Sequence, residues 1–279
     1  MDFIEILKAI LFGIVEGITE WLPISSTGHM ILLNEFVTLN VSEEFWKMFE
    51  VVIQLGAILA VVLLFWHQIF PFQFGKKPII RADIFSMWFK IAVACVPAAV
   101  IGILFDDMID TMFYNYQTVS IMLLLFGVLF IVIENRNRHL KPSINQMEEI
   151  TYKTALLIGF FQLIAAVFPG TSRSGATIIG ALLIGVSRTV AAEFTFFLAI
   201  PVMFGASLLK IIKFGFVFTT SELIILLVGM VVAFLVSILV IQFLLSYIKK
   251  NDFKVFGWYR IILGIAVLLY FMVFHTAAV

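Results

Sequence analysis

Two short polar segments interrupt long apolar stretches of the chain, and the first of them ends in a histidine. This segment, Pro23–His29, contains Ser25, Ser26 and Thr27 in succession. Hydroxyl side chains before an apolar run are typical of a helix N-terminus, where free backbone amides favour an anion. A helix cap alone needs one hydroxyl, so three in an apolar setting favour an anion site. His29 follows Ser26 by three residues and could face the same way, as a general acid or base.

The second polar segment, Pro169–Gly175, places Arg173 between two serines. Its hydroxyl side chains are those of Thr171, Ser172 and Ser174. A guanidinium group binds phosphate bidentately and stays charged when buried, and the flanking glycines permit a tight backbone that wraps an anion. The alternative is an arginine that pairs with one acid and only stabilises a helix bundle. We predict a phosphate clamp.

Two acids precede the first polar segment. Glu16 and Glu20 are four residues apart, so on a helix they share one face. Carboxylates inside an apolar segment are costly and are functional by default, and this pair suits proton transfer or a divalent cation. The alternative is a pair at the membrane surface that faces water. Gly13 and Gly17 have the same spacing, which would let another helix approach closely.

The composition places these segments in a membrane. Of the 279 residues, 62% are hydrophobic and 13% are charged, whereas soluble domains carry about a quarter charged residues. The net charge is zero, so we expect no nucleic-acid partner. The single cysteine, Cys95, cannot form an intrachain disulfide.

Six apolar runs are long enough to cross a bilayer as helices. They are Phe49–Trp66, Ile84–Phe105, Gln117–Ile133, Phe194–Ile212, Leu223–Ile248 and Trp258–Phe274. Two other apolar stretches, Ile4–Leu22 and Tyr152–Phe168, end at the prolines of the polar segments. Each is followed by a stretch too short to span, Met30–Leu39 and Ala176–Val186. We therefore predict an all-α integral membrane protein with six transmembrane helices and two re-entrant helical hairpins.

The charges between the spans predict the topology. Three connections are basic, at His67–Asp83, at Glu134–Lys153 and after Ile248, whereas Asp106–Tyr116 carries three acids and no base. The positive-inside rule places the basic connections in the cytoplasm and the acidic one outside. Lys210 and Lys213 then fall outside, against the rule.

The two polar segments also belong to an internal repeat. Gly13–His29 aligns without gaps to Gly159–Gly175, at an offset that places Arg173 opposite Thr27 and Gln162 opposite Glu16. Each half has one hairpin and then three spans. We predict a single membrane domain, 1–279, with repeats at about 1–146 and 147–279. An odd number of spans inverts the second repeat, so both termini would lie outside and the hairpins would enter from opposite faces.

The two segments differ in chemistry, which predicts one composite site. The first segment follows two acids and contains a histidine, and the second has the arginine. Acid–base groups would come from the first segment and the anion clamp from the second.

Two other charged groups carry weaker signals. The aspartates of Asp106–Asp110 match a magnesium-binding pattern of prenyl-diphosphate synthases, but there is no second copy, and a solvated acidic loop is favoured. We expect Arg188 to form a salt bridge with Glu193 at a helix end.

The stretch from Glu16 to His29 and the stretch Pro169–Gly175 resemble the two signature motifs of the undecaprenyl-diphosphate phosphatase family, the bacitracin-resistance proteins. The segments Phe49–Gly56 and Glu193–Ala206 are also similar to family segments. The resemblance covers essentially the whole chain.

This resemblance implies a bacterial inner-membrane enzyme that removes one phosphate from undecaprenyl diphosphate, which recycles the cell-wall carrier lipid. It implies inverted repeats, a site open to the outer, periplasmic face, and dependence on a divalent cation, Mg²⁺ or Ca²⁺. Besides the lipid substrate, a second copy of the chain, in a homodimer, is a candidate partner. The residues carried over by position are Glu16, Glu20, Ser25, Ser26, Thr27, His29, Ser172, Arg173 and Ser174.

The expected roles follow from this assignment. Arg173 and the hydroxyls, Thr171 included, would hold the terminal phosphate, and Glu16 with Glu20 would hold the metal. Either Ser26 attacks with His29 as base, or His29 or a glutamate activates water. The rival is a proton- or ion-coupled transporter or a polyprenyl-phosphate flippase, because broken helices in inverted repeats are a transporter design.

Overall fold

The computed structural model describes residues 3–73 and 79–274. Within these residues the regular structure is helical, and no strand is present. The α-helices are α1 (Phe3–Thr19), α2 (Ser26–Phe36), α3 (Glu43–Val52), α4 (Gln54–Leu64), α5 (Trp66–Ile69), α6 (Ala82–Phe113), α7 (Tyr116–Asn137), α8 (Tyr152–Val167), α9 (Arg173–Leu183), α10 (Arg188–Phe214), α11 (Thr220–Ile248) and α12 (Lys254–Phe274). The prediction of an all-α protein is confirmed.

Six segments of the described chain are long and apolar enough to cross a membrane. They are Glu43–Leu64, Ala82–Phe105, Tyr116–Asn137, Arg188–Phe214, Thr220–Ile248 and Lys254–Phe274. Each matches one predicted span, with ends that differ by a few residues. Large hydrophobic side chains such as Ile103, Leu239 and Ile262 are exposed on the outside of these helices, as lipid-facing residues are. The chain is a multi-pass membrane protein.

The loop predicted at Asp106–Tyr116 is mostly helix. α6 continues to Phe113 because no proline or glycine interrupts it after Gly102, and the next helix begins only where Asn115 caps α7. Its 32 residues span about 48 Å, more than the hydrocarbon core, so one end projects beyond it. There Lys213 pairs with Asp107 at 2.9 Å, which neutralises one of the two lysines that violate the charge rule.

Glycines bring the shorter helices close to the long ones. α1 packs along α11, and α8 packs along α6. A Cβ on Gly13 would lie 2.6 Å from the carbonyl oxygen of Gly229, and one on Gly159 would lie 2.4 Å from that of Ala94. The predicted close approach at Gly13 and Gly17 is confirmed, and it anchors the acid-bearing face of α1 inside the bundle.

Candidate active site

The two polar segments form loops with the same backbone design. α1 ends at Thr19 and α2 begins at Ser26, while α8 ends at Val167 and α9 begins at Arg173. Ser25 and Ser172 adopt φ of 77° and 67°, the two positive φ values of non-glycine residues in the described chain. Each serine caps the next helix by accepting a hydrogen bond from the amide of the glycine three residues later, at 3.3 and 3.2 Å.

This shared geometry shifts the sequence alignment by one residue at the loops. Ser25 and Ser172 have equivalent backbone roles, whereas the gap-free alignment paired Ser172 with Ser26. The cap lies two residues after Pro23 but three after Pro169, and Gly170, with φ of 88°, lies in the longer loop. Arg173 therefore corresponds to Ser26, each being the first residue of its helix, rather than to Thr27.

The two loops meet at the carboxylate of Glu20. Arg173 Nη2 donates to Glu20 Oε1 at 2.8 Å, and Ser26 Oγ donates to Glu20 Oε2 at 2.7 Å. Ser174 Oγ donates to the backbone carbonyl of Glu20 at 3.2 Å. The structure thus brings residues 153 positions apart into one cluster, and a single carboxylate orients the hydroxyl of one loop and the guanidinium of the other.

Arg173 retains donors for an anion although it is paired with an acid. Its Nη1 donates to the carbonyl of Thr195 at 3.0 Å, and its guanidinium lies 5.9 Å from the ring centroid of Trp21. Of about five guanidinium N–H donors, two are used by Glu20 and Thr195. The pairing considered as the structural alternative is present, but it leaves free N–H groups beside the hydroxyls.

The other predicted hydroxyls lie at different depths in this cluster. Ser25, Thr171 and Ser174 are buried, whereas Ser26, Thr27 and Ser172 are partly exposed. Ser172 Oγ and Ser174 Oγ are 3.1 Å apart. Thr171 Oγ1 is buried without a hydrogen-bond partner in the described chain, so an incoming oxyanion could take it as a donor.

His29 lies beside the site, but neither of its ring nitrogens is hydrogen-bonded to Ser26. Its Nδ1 is 2.7 Å from the carbonyl oxygen of Ser25, so it carries the proton, and its Nε2 is 2.7 Å from Tyr259 Oη. The imidazole also stacks on the Tyr259 ring with centroids 5.6 Å apart. In this geometry the group that receives the hydrogen bond of Ser26 is Glu20, not the expected His29.

Sequence reasoning missed Arg260, which joins both loops from α12. Its side chain is fully buried. Its guanidinium donates to the carbonyls of Pro23 at 3.3 Å, Gly170 at 2.9 Å and Thr171 at 2.8 Å. An ionisable residue inside an apolar span is itself a signal of function, and that signal was available at position 260, near the start of the predicted span Trp258–Phe274.

The chain matches the model of a known family along most of its length. The description of that family is "Bacitracin resistance protein BacA", and residues 9–266 are matched. The chain belongs to this family.

Curated relatives of the chain agree with this membership. It is 68% identical to an undecaprenyl-diphosphatase of Desulfitobacterium hafniense over 97% of this chain and 98% of the relative. It is 68% identical to undecaprenyl-diphosphatase 1 of Clostridium acetobutylicum, over 98% of this chain and all of the relative, and 66% identical to an undecaprenyl-diphosphatase of Enterococcus faecalis, over 96% and 98%.

Glu16 of α1 and Glu20, which directly follows α1, are the residues that could hold the divalent cation expected from the resemblance. Glu16 is buried, with an exposed fraction of 1%, and neither of its carboxylate oxygens has a hydrogen-bond partner in the described chain. Glu20 is buried as well, so the two acids do not face water at a membrane surface. No group of three or more acid, histidine or cysteine side chains is arranged for a metal among the described residues. Two carboxylates completed by substrate phosphate and water suit Mg²⁺.

Proposed function

We propose that the protein hydrolyses undecaprenyl diphosphate to undecaprenyl phosphate and inorganic phosphate. One observation carries this proposal: Glu20 joins Ser26 of one loop to Arg173 of the other, in a chain that is near full-length similar to undecaprenyl-diphosphatases. The reaction returns the cell-wall carrier lipid to its monophosphate form, and this recycling confers resistance to bacitracin.

The terminal phosphate is held by the free N–H groups of Arg173 and by the loop hydroxyls and amides. Phosphoryl transfer depends on positioning and on stabilisation of the equatorial oxygens of the transferring group. The N-termini of α2 and α9 both open into the site, and each supplies amides that favour an anion. Arg260 keeps the two loops in register by holding their carbonyls.

The geometry supports Ser26 as the nucleophile. Its hydroxyl donates to Glu20 Oε2, which can accept the proton as Oγ attacks phosphorus. The bond from phosphorus to the bridging oxygen breaks, undecaprenyl phosphate leaves, and water then hydrolyses the phosphoserine to release phosphate. In the competing route, Glu20 or His29 activates water, which attacks the phosphate directly, and Ser26 only binds.

We also propose that the reaction requires a divalent cation, Mg²⁺ or Ca²⁺, and that Glu16 and Glu20 would be its protein ligands. When bound it supplies positive charge beside the diphosphate. The support is the buried carboxylate of Glu16, whose oxygens have no partner in the described chain. A chelator is expected to abolish phosphate release, and added Mg²⁺ to restore it.

The proposed arrangement in the bacterial inner membrane has two re-entrant hairpins, α1–α2 and α8–α9, in inverted repeats, with the site open to the periplasm. The support is the reciprocal packing of α1 on α11 and of α8 on α6, together with the basic connections at one end. In a Cys95→Ser background, a cysteine at Val217 should react with an impermeant maleimide in whole cells, and a cysteine at His139 should not. The reverse pattern would contradict this orientation.

Transport is the less favoured function, because the curated relatives are diphosphatases. Purified protein in detergent separates the two, since transport needs two compartments and hydrolysis does not. Release of phosphate from a polyprenyl diphosphate in micelles is expected. The molar mass of the same sample, measured by light scattering, tests whether the protein forms a homodimer.

A further inference from the structure

A second polar cavity lies at the end of the helix bundle away from the two loops. It measures about 620 Å³ and lies between the ends of α7 and α11 and the start of α10. The loops contact α7 from Val119, beside Gly170, to Phe130, beside Gly175. α9 leads from the second loop to the cavity: it begins at Arg173, and Leu182, nine residues or about 14 Å further along this helix, lines the cavity. It is therefore separate from the site described above, and we call it the basic cavity.

Cations outnumber acids in the lining of the basic cavity. Its charged side chains are Glu134, Arg136, Arg138, Lys141, Arg188 and Lys249. The single acid among them is already used, because Glu134 Oε1 accepts hydrogen bonds from Arg188 Nε at 2.9 Å and from the amide of Phe253 at 3.0 Å. The expected partner of Arg188 was Glu193, but α7 presents Glu134 to it instead. The nearby Asp252 pairs with Lys254.

Three of these cations have no counter-charge of their own. The side chains of Arg136, Arg138 and Lys141 make no hydrogen bond or ion pair with another residue of the described chain, and all three are exposed. Like charges so close together repel one another, so the arrangement is stabilised when an anion enters.

The backbone of the basic cavity also favours an anion. α10 begins there, at Arg188, after Ser187, whose hydroxyl does not cap the helix. The first-turn amides are therefore open to an outside acceptor. An oxyanion is a suitable acceptor, because it meets these amides and the surrounding guanidinium groups together.

One wall of the basic cavity is apolar, which indicates a lipid rather than a free ion. Leu140 and Leu183 line it and are 58% and 37% exposed, the half-buried Ile184 lies beside them, and the buried Val186 and Ile248 lie behind. The cavity lies where three spanning segments begin or end, which is the depth of lipid headgroups. Basic pockets between transmembrane helices on the cytoplasmic side are typical binding sites of anionic lipid headgroups.

We propose that the basic cavity binds the phosphate headgroup of an anionic phospholipid, with the acyl chains along its apolar wall. Such a site lies on the face opposite to the proposed hydrolysis and does not depend on it.

Short-chain phosphatidylglycerol, titrated into the detergent-solubilised protein and followed by native mass spectrometry, tests the proposal. Arg138→Gln combined with Lys141→Gln removes two charges from the basic cavity. A basic residue near an anionic lipid contributes about fivefold to binding, so the pair should weaken it about 30-fold. The matched control, Lys153→Gln with Lys250→Gln, removes two charges from exposed residues outside the cavity. It should bind the lipid as the unchanged protein does.

Equal binding by both double variants would overturn the proposal, whether both keep the lipid or both lose it. Short-chain phosphatidylcholine should bind weakly to every variant. Displacement of phosphatidylglycerol by millimolar inorganic phosphate would identify a free-phosphate site and overturn the lipid assignment. Phosphate release in detergent should stay within twofold in the cavity variant. A larger loss would show that the basic cavity acts on the catalytic loops, which contradicts a lipid site that is independent of hydrolysis.

Discussion

The two loops have the same backbone conformation but differ in the residue at the first position of the helix that follows. Ser25 and Ser172 have the same left-handed conformation and the same capping bond. At the next position one loop has the hydroxyl of Ser26 and the other has the guanidinium of Arg173. Both groups reach the same carboxylate, that of Glu20. Two helix N-termini with the same backbone geometry thus present different side chains, and both side chains bind the same carboxylate.

The helices that lead into the loops show the same contrast. Glu16 and Gln162 occupy matching positions on α1 and α8, both are buried, and both have polar atoms without a partner in the described chain. Only one of the two is charged. In the proposed mechanism, the first half would supply the acids for proton transfer and metal binding, and the second half the phosphate clamp.

The largest expected effect comes from the second loop. Arg173→Ala should lower kcat/KM by about 10³-fold or more, the range found when an arginine that stabilises phosphoryl transfer is removed. Arg173→Lys keeps the charge but loses the bidentate fork, so an intermediate loss is expected. Phosphate release from a polyprenyl diphosphate is the measurement. Normal activity of Arg173→Ala would exclude the second loop from the site.

The counterpart change in the first loop is Ser26→Ala. Loss of the Ser26 hydroxyl should lower kcat by about 10²-fold or more, because it removes the attacking group and a positioned donor. Rapid-quench experiments on the unchanged protein should trap phosphate on Ser26. Ser221→Ala, at an exposed position at the start of α11, is the control and should be fully active. Full activity of Ser26→Ala would show that activated water, and not Ser26, attacks the phosphate.

The acid and amide that occupy matching positions should differ in metal dependence. Glu16→Gln should raise the Mg²⁺ concentration for half-maximal activity by about tenfold or more, because a charged ligand is lost. Gln162→Met changes the matching residue of the second half and should leave that concentration unchanged. If both variants shift it equally, the metal is not held by the first half.

The smallest effect is expected beside the first loop. Tyr259→Phe removes the hydrogen bond to His29 Nε2, and one such bond is worth about 1 kcal/mol, or about fivefold in kcat/KM. Tyr270→Phe is the matched control on the same helix. A loss as large as that of Arg173→Ala would give His29 a direct part in the reaction.

Local signals predicted most of the fold. The six spans, the breaks at Pro23 and Pro169 and the close approach at Gly13 each depend on residues near one another in the chain, and the structure agrees with each. The span that ends at Phe105 was predicted correctly, but the loop expected after it is helical as far as Phe113, because acidic residues favour water and do not by themselves stop a helix.

The features that the sequence could not predict depend on contacts between residues that are far apart in the chain or on details of the backbone. The extra residue between Pro169 and its cap shifts the alignment of the loops by one, and only the backbone angles reveal it. Ser26 reaches back across the helix break to Glu20, whereas helical spacing pointed to His29. Arg260 binds carbonyls that come together only after the bundle has formed.

The central claim is that residues of both loops act as one unit, and a double-mutant cycle on Glu20 and Arg173 tests it most directly. Glu20→Gln and Arg173→Gln are each expected to lower kcat/KM for polyprenyl diphosphate severely. Because the two side chains share one ion pair at 2.8 Å, the combined variant should be at most about tenfold worse than the more damaged single variant. If the two losses instead multiply, Glu20 and Arg173 act independently, and the account of one composite site is contradicted.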